Sequence, residues 1–491
     1  MVGAALEAGL LPCLERLLRR AGETPEACEA LLTRHLLRSE CFDLELLAPL
    51  LAYGEPRQAA SLVATVGKLL ASLAVPDVVL VKRADRADHG GRIVEAAYLA
   101  SHLLVAVQLW LLAGARSPAG WQAQPAPCGP SGEQAAAAVA VAPGRSVQRQ
   151  LAAAVSCSVG KWLPPLSRLF QATPHFMQVC GGAASALAAT VSNCLRSLLA
   201  WVPTLSRCGV EEGASAAAGG WQRWLLQEAR VVPLLGAALG LLPVLLLQER
   251  EEQLGQAAEE HGCELVQLLG ESCCCVAAAF PNEVRDAALA AAAAEESSAN
   301  GGSGASGGSG AGARSSGWRA GDRSTRAGVS RNSSTSGHAQ PADWAAAVAA
   351  ASGSDGWRPS LLRDLAAELR AHGSSVATTA AAVEDLAGQL EACRAGGSSG
   401  DASVGWQGLP SLPVQDSGSG AGALLLLAPV EACALLRTCA NPACDNLAGD
   451  SEAELPLRAC GRCGAAWYCR PECQTAHWRA GHRQACRLPR G

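Results

Sequence analysis

The sequence predicts a mostly α-helical chain, and three observations carry that reading. Apolar residues make up 49% of the 491 positions, ample for a sizeable buried core. Much of this content is Ala, Leu and Val, with only four Phe and three Tyr, and Ala and Leu lose little rotamer freedom in a helix. Leucines also recur with helical period, as in the i, i+4 stripe Leu6, Leu10, Leu14 and Leu18.

Residues 1–294 read as one helical domain. Blocks of helical period at Glu26–Leu37, Phe42–Ala52, Gln58–Leu73, Val94–Ala113, Ala184–Trp201, Trp221–Leu247 and Leu254–Ala279 are separated by short breaks carrying Gly, Pro or charge. The run Gly9-Leu10-Leu11-Pro12, followed by Leu14 to Leu18, resembles the start of an armadillo-type repeat helix, which implies an irregular helical-repeat solenoid. No fixed period of about 34–47 residues can be written as a consensus, and a helical-bundle domain fits the same blocks. Pro118, Pro125, Pro127 and Pro130 mark Arg116–Arg145 as a surface loop. The uncharged stretch Val231–Leu247 is shorter than the roughly 20 apolar residues of a membrane span. Pro233, Gly236, Gly240 and Pro243 interrupt it, so it is expected as a buried core helix, and no membrane partner is expected.

Residues 295–358 turn to Gly, Ser and Ala and read as a disordered linker, because such a segment cannot bury enough apolar area to offset its ordering entropy. Its arginines Arg314, Arg319, Arg323, Arg326 and Arg331 lie among serines as solvated positions. A short helical segment follows at 359–395, built from Leu361–His372 and Val376–Ala395. A second Gly/Ser/Pro linker spans 396–422, and 423–438 reads as a helix leading into the unit at 439–486. The linkers imply that this last unit folds apart from the helical domain.

Seven of the 21 cysteines fall between Cys439 and Cys486, and the rest are dispersed without a repeating interval. That pattern is not a disulfide framework; it points to a reducing intracellular compartment, cytoplasmic or nuclear, and to a metal site. The cluster reads Cys439-x4-Cys444, Cys460-x2-Cys463, Cys469-x3-Cys473 and His482-x3-Cys486. Eight ligands in four close pairs suit two tetrahedral zinc ions, and thiolates with one imidazole are the donors of closed structural sites. A catalytic zinc keeps one position open, and four protein ligands per ion leave none. The apolar residues available to this unit, Leu436, Leu447, Leu455, Leu457, Trp467, Tyr468 and Trp478, make a small core. Zinc contributes on the order of 10–16 kcal/mol in small fingers, so metal and fold should be inseparable.

The run from Tyr468 to Cys486, with its Tyr-Cys, Cys-Gln, Trp and His-x3-Cys landmarks, resembles the second half of a MYND finger, and the first half also fits. The resemblance covers 439–486 only. It implies interleaved sites, with Cys439, Cys444, Cys469 and Cys473 on one zinc and Cys460, Cys463, His482 and Cys486 on the other. The spacing is equally compatible with sequential pairing. The first pair is spaced by four residues where two is usual in the family, which requires a wider Ala440–Ala443 loop stiffened by Pro442, and Arg470 stands where the family often has a small polar residue. The resemblance further implies a groove bordered by Gln474 and Trp478, four residues apart, where proline-containing peptides of partner proteins dock. Trp478 alternatively fills the small core.

The expected function is therefore a non-catalytic adaptor or scaffold that docks partner proteins through this finger. A transcriptional regulator that docks corepressors is the alternative, and a MYND/SET-type lysine methyltransferase is a weaker one. The latter should carry an Asn-His pair, which this sequence lacks, and no Walker loop or Rossmann fingerprint is present. Arg479, Arg483, Arg487 and Arg490 could share one helix face. The overall net charge of −5 nevertheless lacks the basic balance of a nucleic-acid binder, and no nucleic acid is expected. His477 falls out of step with the ligand pairs and reads as a surface residue or a neighbour of the ligands. Cys433 and the run Cys273-Cys274-Cys275 read as packed thiols.

Overall fold

The computed structural model describes residues 2–24, 27–29, 32–33, 47–73, 143–180, 184–207, 218–247, 264–301, 356–395, 426–428, 431–432 and 437–486. The expected block Val94–Ala113, Cys433 and nearly all of both Gly/Ser-rich stretches lie outside these residues, as do Arg487 and Arg490.

The scaffold helices are α1 (Val2–Glu7), α2 (Leu10–Glu23), α3 (Leu47–Tyr53), α4 (Pro56–Leu73), α5 (Pro143–Cys180), α6 (Ala184–Arg207), α7 (Ala218–Gln227), α8 (Val231–Gly240), α9 (Glu264–Ala279), α10 (Pro281–Gly301), α11 (Pro359–Ala371) and α12 (Ala377–Ala395). They stack in order: α2 packs on α4, α4 on α5, and α5 also on α3, α6 and α8; α6 packs on α9, and α9 on α11 and α12. One continuous apolar core runs from Leu11 on α2 to Leu390 on α12. The leucine stripe is sound at its centre, with Leu14 and Leu18 buried beside Leu11.

Large aromatics fix the layers, and each of two buried indoles finds a carbonyl, as an enclosed N–H requires. The Trp162 N–H on α5 donates to the Val63 carbonyl at 2.9 Å, and Trp357 donates to the Val232 carbonyl at 2.9 Å. Val231–Gly240 is buried almost throughout, as a core helix should be. No single described helix is long and apolar enough to cross a membrane.

Several boundaries differ from the sequence reading. Helix α5 has no counterpart among the expected blocks, and it continues across Pro164, Pro165 and Pro174. Helix α10 runs on to Gly301, past the expected start of the linker, and the chain is already packed by Gly356 and Trp357. Gly356 has φ 135°, and a Cβ there would sit 2.6 Å from Ala291 Cβ, so the conformation and the close approach both select glycine. Within the expected helix 423–438, Leu426–Ala428 carries no helical assignment. The Leu427 N–H donates to Ser156 Oγ at 3.0 Å and its carbonyl accepts from Trp221 Nε1 at 3.2 Å, pinning this stretch as a strap across the scaffold. Pro429 disfavours helix at Ala428.

Candidate metal centre

The C-terminal unit is built from two-residue strands and short turns, with its own small core of Cys439, Cys444, Cys460, Tyr468, Cys473 and Cys486. Strand β1 (Arg458–Ala459) pairs antiparallel with β2 (Trp467–Tyr468), Arg458 opposite Tyr468. Between them the chain makes a tight knuckle: the Cys460 N–H donates to the Ala466 carbonyl at 2.7 Å and the Gly464 N–H to the Cys460 carbonyl at 2.8 Å. Beyond β2, helix α13 (Pro471–His477) starts with Pro471 at its first turn, where the missing N–H costs nothing. Helical backbone then passes through Gly481, whose φ of 140° kinks it before His482 and Cys486. Arg479 and Arg483, both exposed, are thus separated by a kink and do not lie on one continuous helix.

This local chain path gathers the ligands in two groups, each with its donor atoms within 4.8 Å of one another: Cys439, Cys444, Cys469 and Cys473, and Cys460, Cys463, His482 and Cys486. The sites interleave, and sequential pairing is excluded by the geometry. A tetrahedron with Zn–S of about 2.3 Å has S···S edges of about 3.8 Å. Here Cys444–Cys469 is 3.6 Å, Cys469–Cys473 3.8 Å, Cys444–Cys473 3.6 Å and Cys460–Cys486 3.9 Å. The Cys463 Sγ to His482 Nε2 separation is 3.6 Å. Both donor sets therefore fit structural zinc ions, one held by four cysteines and the other by three cysteines and a histidine.

The sulfurs are too close to ionise independently without a cation. Crowding by the Cys439 and Cys469 thiols pushes Cys444 far above the usual thiol range, against the pull of the Lys68 charge. The Cys439 and Cys444 thiols in turn hold Cys469 far below that range. A divalent ion in place of the shared protons relieves this conflict.

The wider first loop is stabilised within itself, as Asn441 accepts from the Ala443 N–H at 3.3 Å through its side chain and from the Cys444 N–H at 3.1 Å through its carbonyl. Arg470 forms an ion pair with Asp445 beside it. His477 is not a ligand: its ring stacks on His482 at 4.9 Å between centroids, and its Nδ1 lies 3.1 Å from Tyr468 Oη. Burial above all pulls its pKa down to about 4, so the ring beside the tyrosine hydroxyl is neutral. Gln474 and Trp478 are both half-buried. The Trp478 ring packs edge-on to His482 at 5.9 Å and lies 6.0 Å beneath the Arg462 guanidinium.

Sequence reasoning missed how the finger sits. Contrary to the separation expected from the linkers, the segment from Asn446 to Glu454 is docked on α2 and α4 through a buried network. Arg19 donates to the Gly449 carbonyl at 3.0 Å, the Ala448 carbonyl at 2.6 Å and Glu452 at 3.3 Å. Glu15 accepts from Ser61 at 2.6 Å, Thr65 at 3.0 Å, Ser451 at 2.8 Å and the Glu452 N–H at 2.7 Å. Lys68 pairs with Glu452 and donates to the Asn446 carbonyl at 2.7 Å. Glu15, Arg19, Lys68 and Glu452 are 1%, 0%, 5% and 1% exposed, so two cations and two anions leave water together and neutralise one another. Leu447 seals the edge against Gly22, where a Cβ would come within 2.5 Å of the Leu447 methyl.

Residues 439–486 match the family of the MYND finger. No curated protein and no solved structure matches the chain. The C-terminal unit is thus a MYND-type zinc finger, a class of zinc-binding module that mediates protein–protein interaction, and here it is carried on a helical scaffold.

Proposed function

We propose that this chain is a non-catalytic intracellular adaptor that docks partner proteins through the finger, by way of extended proline-containing segments. The observation that carries the reading is the strand β1, whose two residues are both exposed. An extended peptide can add to such an edge by backbone hydrogen bonds, with side-chain pockets supplying specificity. Trp478 and Gln474, on the helical turn beyond the second strand, offer the apolar wall and the amide that such a segment needs. Ligand sets that close both metal sites support a structural role for the ions. Cysteines outside any disulfide, Cys13, Cys28, Cys273, Cys274, Cys275 and Cys393 among them, support a reducing compartment.

Selection of a random peptide library on the full chain tests this. Proline-containing segments should be enriched, and Trp478→Ala should weaken a selected peptide by about 2 kcal/mol or more, roughly thirtyfold, with two zinc ions retained. Peptides without proline, or wild-type binding by the variant, would remove the peptide-docking reading. Release of zinc by the variant would assign Trp478 to the finger core instead.

A further inference from the structure

Two scaffold lysines converge on the four-cysteine site. Lys68 on α4 and Lys161 on α5 line a narrow crevice together with Ala64, Gly67, Asn441 and the ligands Cys439 and Cys444. The Lys161 ammonium donates to the carbonyl of Cys439 at 2.8 Å, and Lys68 to the carbonyl of Asn446 at 2.7 Å. Both bonds hold a cation against the backbone around the first pair of ligands. Gly67 makes the approach possible, since a Cβ there would lie 3.1 Å from Lys161 Cβ.

The charges of the two sites differ. Four thiolates around one divalent zinc leave a net charge of about −2, whereas three thiolates and a neutral imidazole leave about −1. Three ligands of the four-cysteine site, Cys439, Cys444 and Cys473, are buried against two, Cys460 and Cys486, in the other, and the scaffold lysines line the crevice at Cys439 and Cys444. A buried anion needs a compensating cation or polar contacts. Lys68 divides its charge between this site and Glu452, whereas Lys161 sets its ammonium directly on the backbone of the first ligand.

We propose that the helical scaffold completes the four-cysteine zinc site: Lys161, with Lys68, neutralises that centre from outside the finger and sets its metal affinity. The finger's two ions are then held unequally, since the scaffold ammonium groups bond to the backbone around the four-cysteine site. Lys161 is a positioning and charge-balancing residue here and coordinates no metal. Its hydrogen bond to Cys439 also orients the first ligand, in the way that groups behind the ligands tune other metal sites.

Cobalt substitution of the full-length protein tests this. Cobalt centres with four sulfur donors absorb differently from those with three sulfurs and one nitrogen, so the two sites titrate separately against zinc. In Lys161→Met the four-cysteine site should lose about tenfold or more in zinc affinity while the histidine-containing site stays within about twofold of wild type. Lys161→Arg, which keeps the charge, should restore most of the loss. Circular dichroism of both variants should show the wild-type helical content. An unchanged affinity of the four-cysteine site in Lys161→Met overturns the proposal. So does equal weakening of both sites, which would reflect loosened packing, or failure of arginine to rescue.

Discussion

Arg19 and Glu452, 433 residues apart in sequence, meet at 3.3 Å in an interior where both side chains are withdrawn from solvent. Their contact makes the finger a fixed part of the scaffold surface, and it dictates how the protein should respond to mutation.

Arg19→Met removes one cation from a balanced set of four, leaving Lys68 on Glu452 and Glu15 with neutral donors alone. Breaking a buried pair in this way costs about 3–5 kcal/mol, more than the removed contact is worth, because the orphaned carboxylates stay buried. Urea unfolding should show that loss. Adding Glu452→Gln to the same chain should recover part of it, and a loss below about 1 kcal/mol would mean that the network is solvated.

Stripping zinc with a strong chelator should unfold the finger, since its core consists largely of the ligands themselves. The consequence reaches further than the finger. Amide exchange should rise along Glu15–Glu23 on α2 and Ser61–Lys68 on α4, the surfaces that the Asn446–Glu454 segment covers, while α11 and α12 keep their protection. Undisturbed exchange on α2 and α4 would show that the docked segment holds its place without metal.

The Cys273-Cys274-Cys275 run packs inside the scaffold, Cys273 and Cys274 almost fully buried. Burial pushes Cys274 from 9.0 up to about 12 and Cys273 well up too. Both thiols stay protonated in the folded chain and ionise near 9 in the unfolded one, so the stability they confer is complete below that pH. It declines as pH climbs through the folded values, by at most about 1.4 kcal/mol per unit for each thiol. Between about pH 9 and 11, Cys274→Ala should show a shallower fall in unfolding free energy than wild type; parallel slopes would refute the assignment.

The eight ligands are legible in the sequence because each pair lies within five positions and only soft donors recur at such spacing. Spacing leaves their interleaving open, and the family resemblance alone implies it; it comes from the hairpin, in which Cys460 follows β1 at the turn and Cys469 follows β2 at the opposite end. The helical scaffold is legible wherever leucines keep their period, as in α2. It is illegible in α5, where Pro164 and Pro165 obscure a helix held in place by Trp162 and the packing around it. Least visible is the docking of the finger. Glu15, Arg19 and Lys68 each look like solvated positions on amphipathic helices, and nothing within a few residues of them hints at a partner so far away, 384 positions in the case of Lys68 and Glu452.

The span between Arg19 and Glu452 also orders events during synthesis. At about 5–20 residues per second, Glu452 is made on the order of 20–90 s after Arg19. Over that interval α2 and α4 carry Glu15, Arg19 and Lys68 without their final neighbour, in a half-finished body that must keep the groove between them wet and open. The last segment then closes it, and zinc capture and loop docking become the concluding steps of maturation.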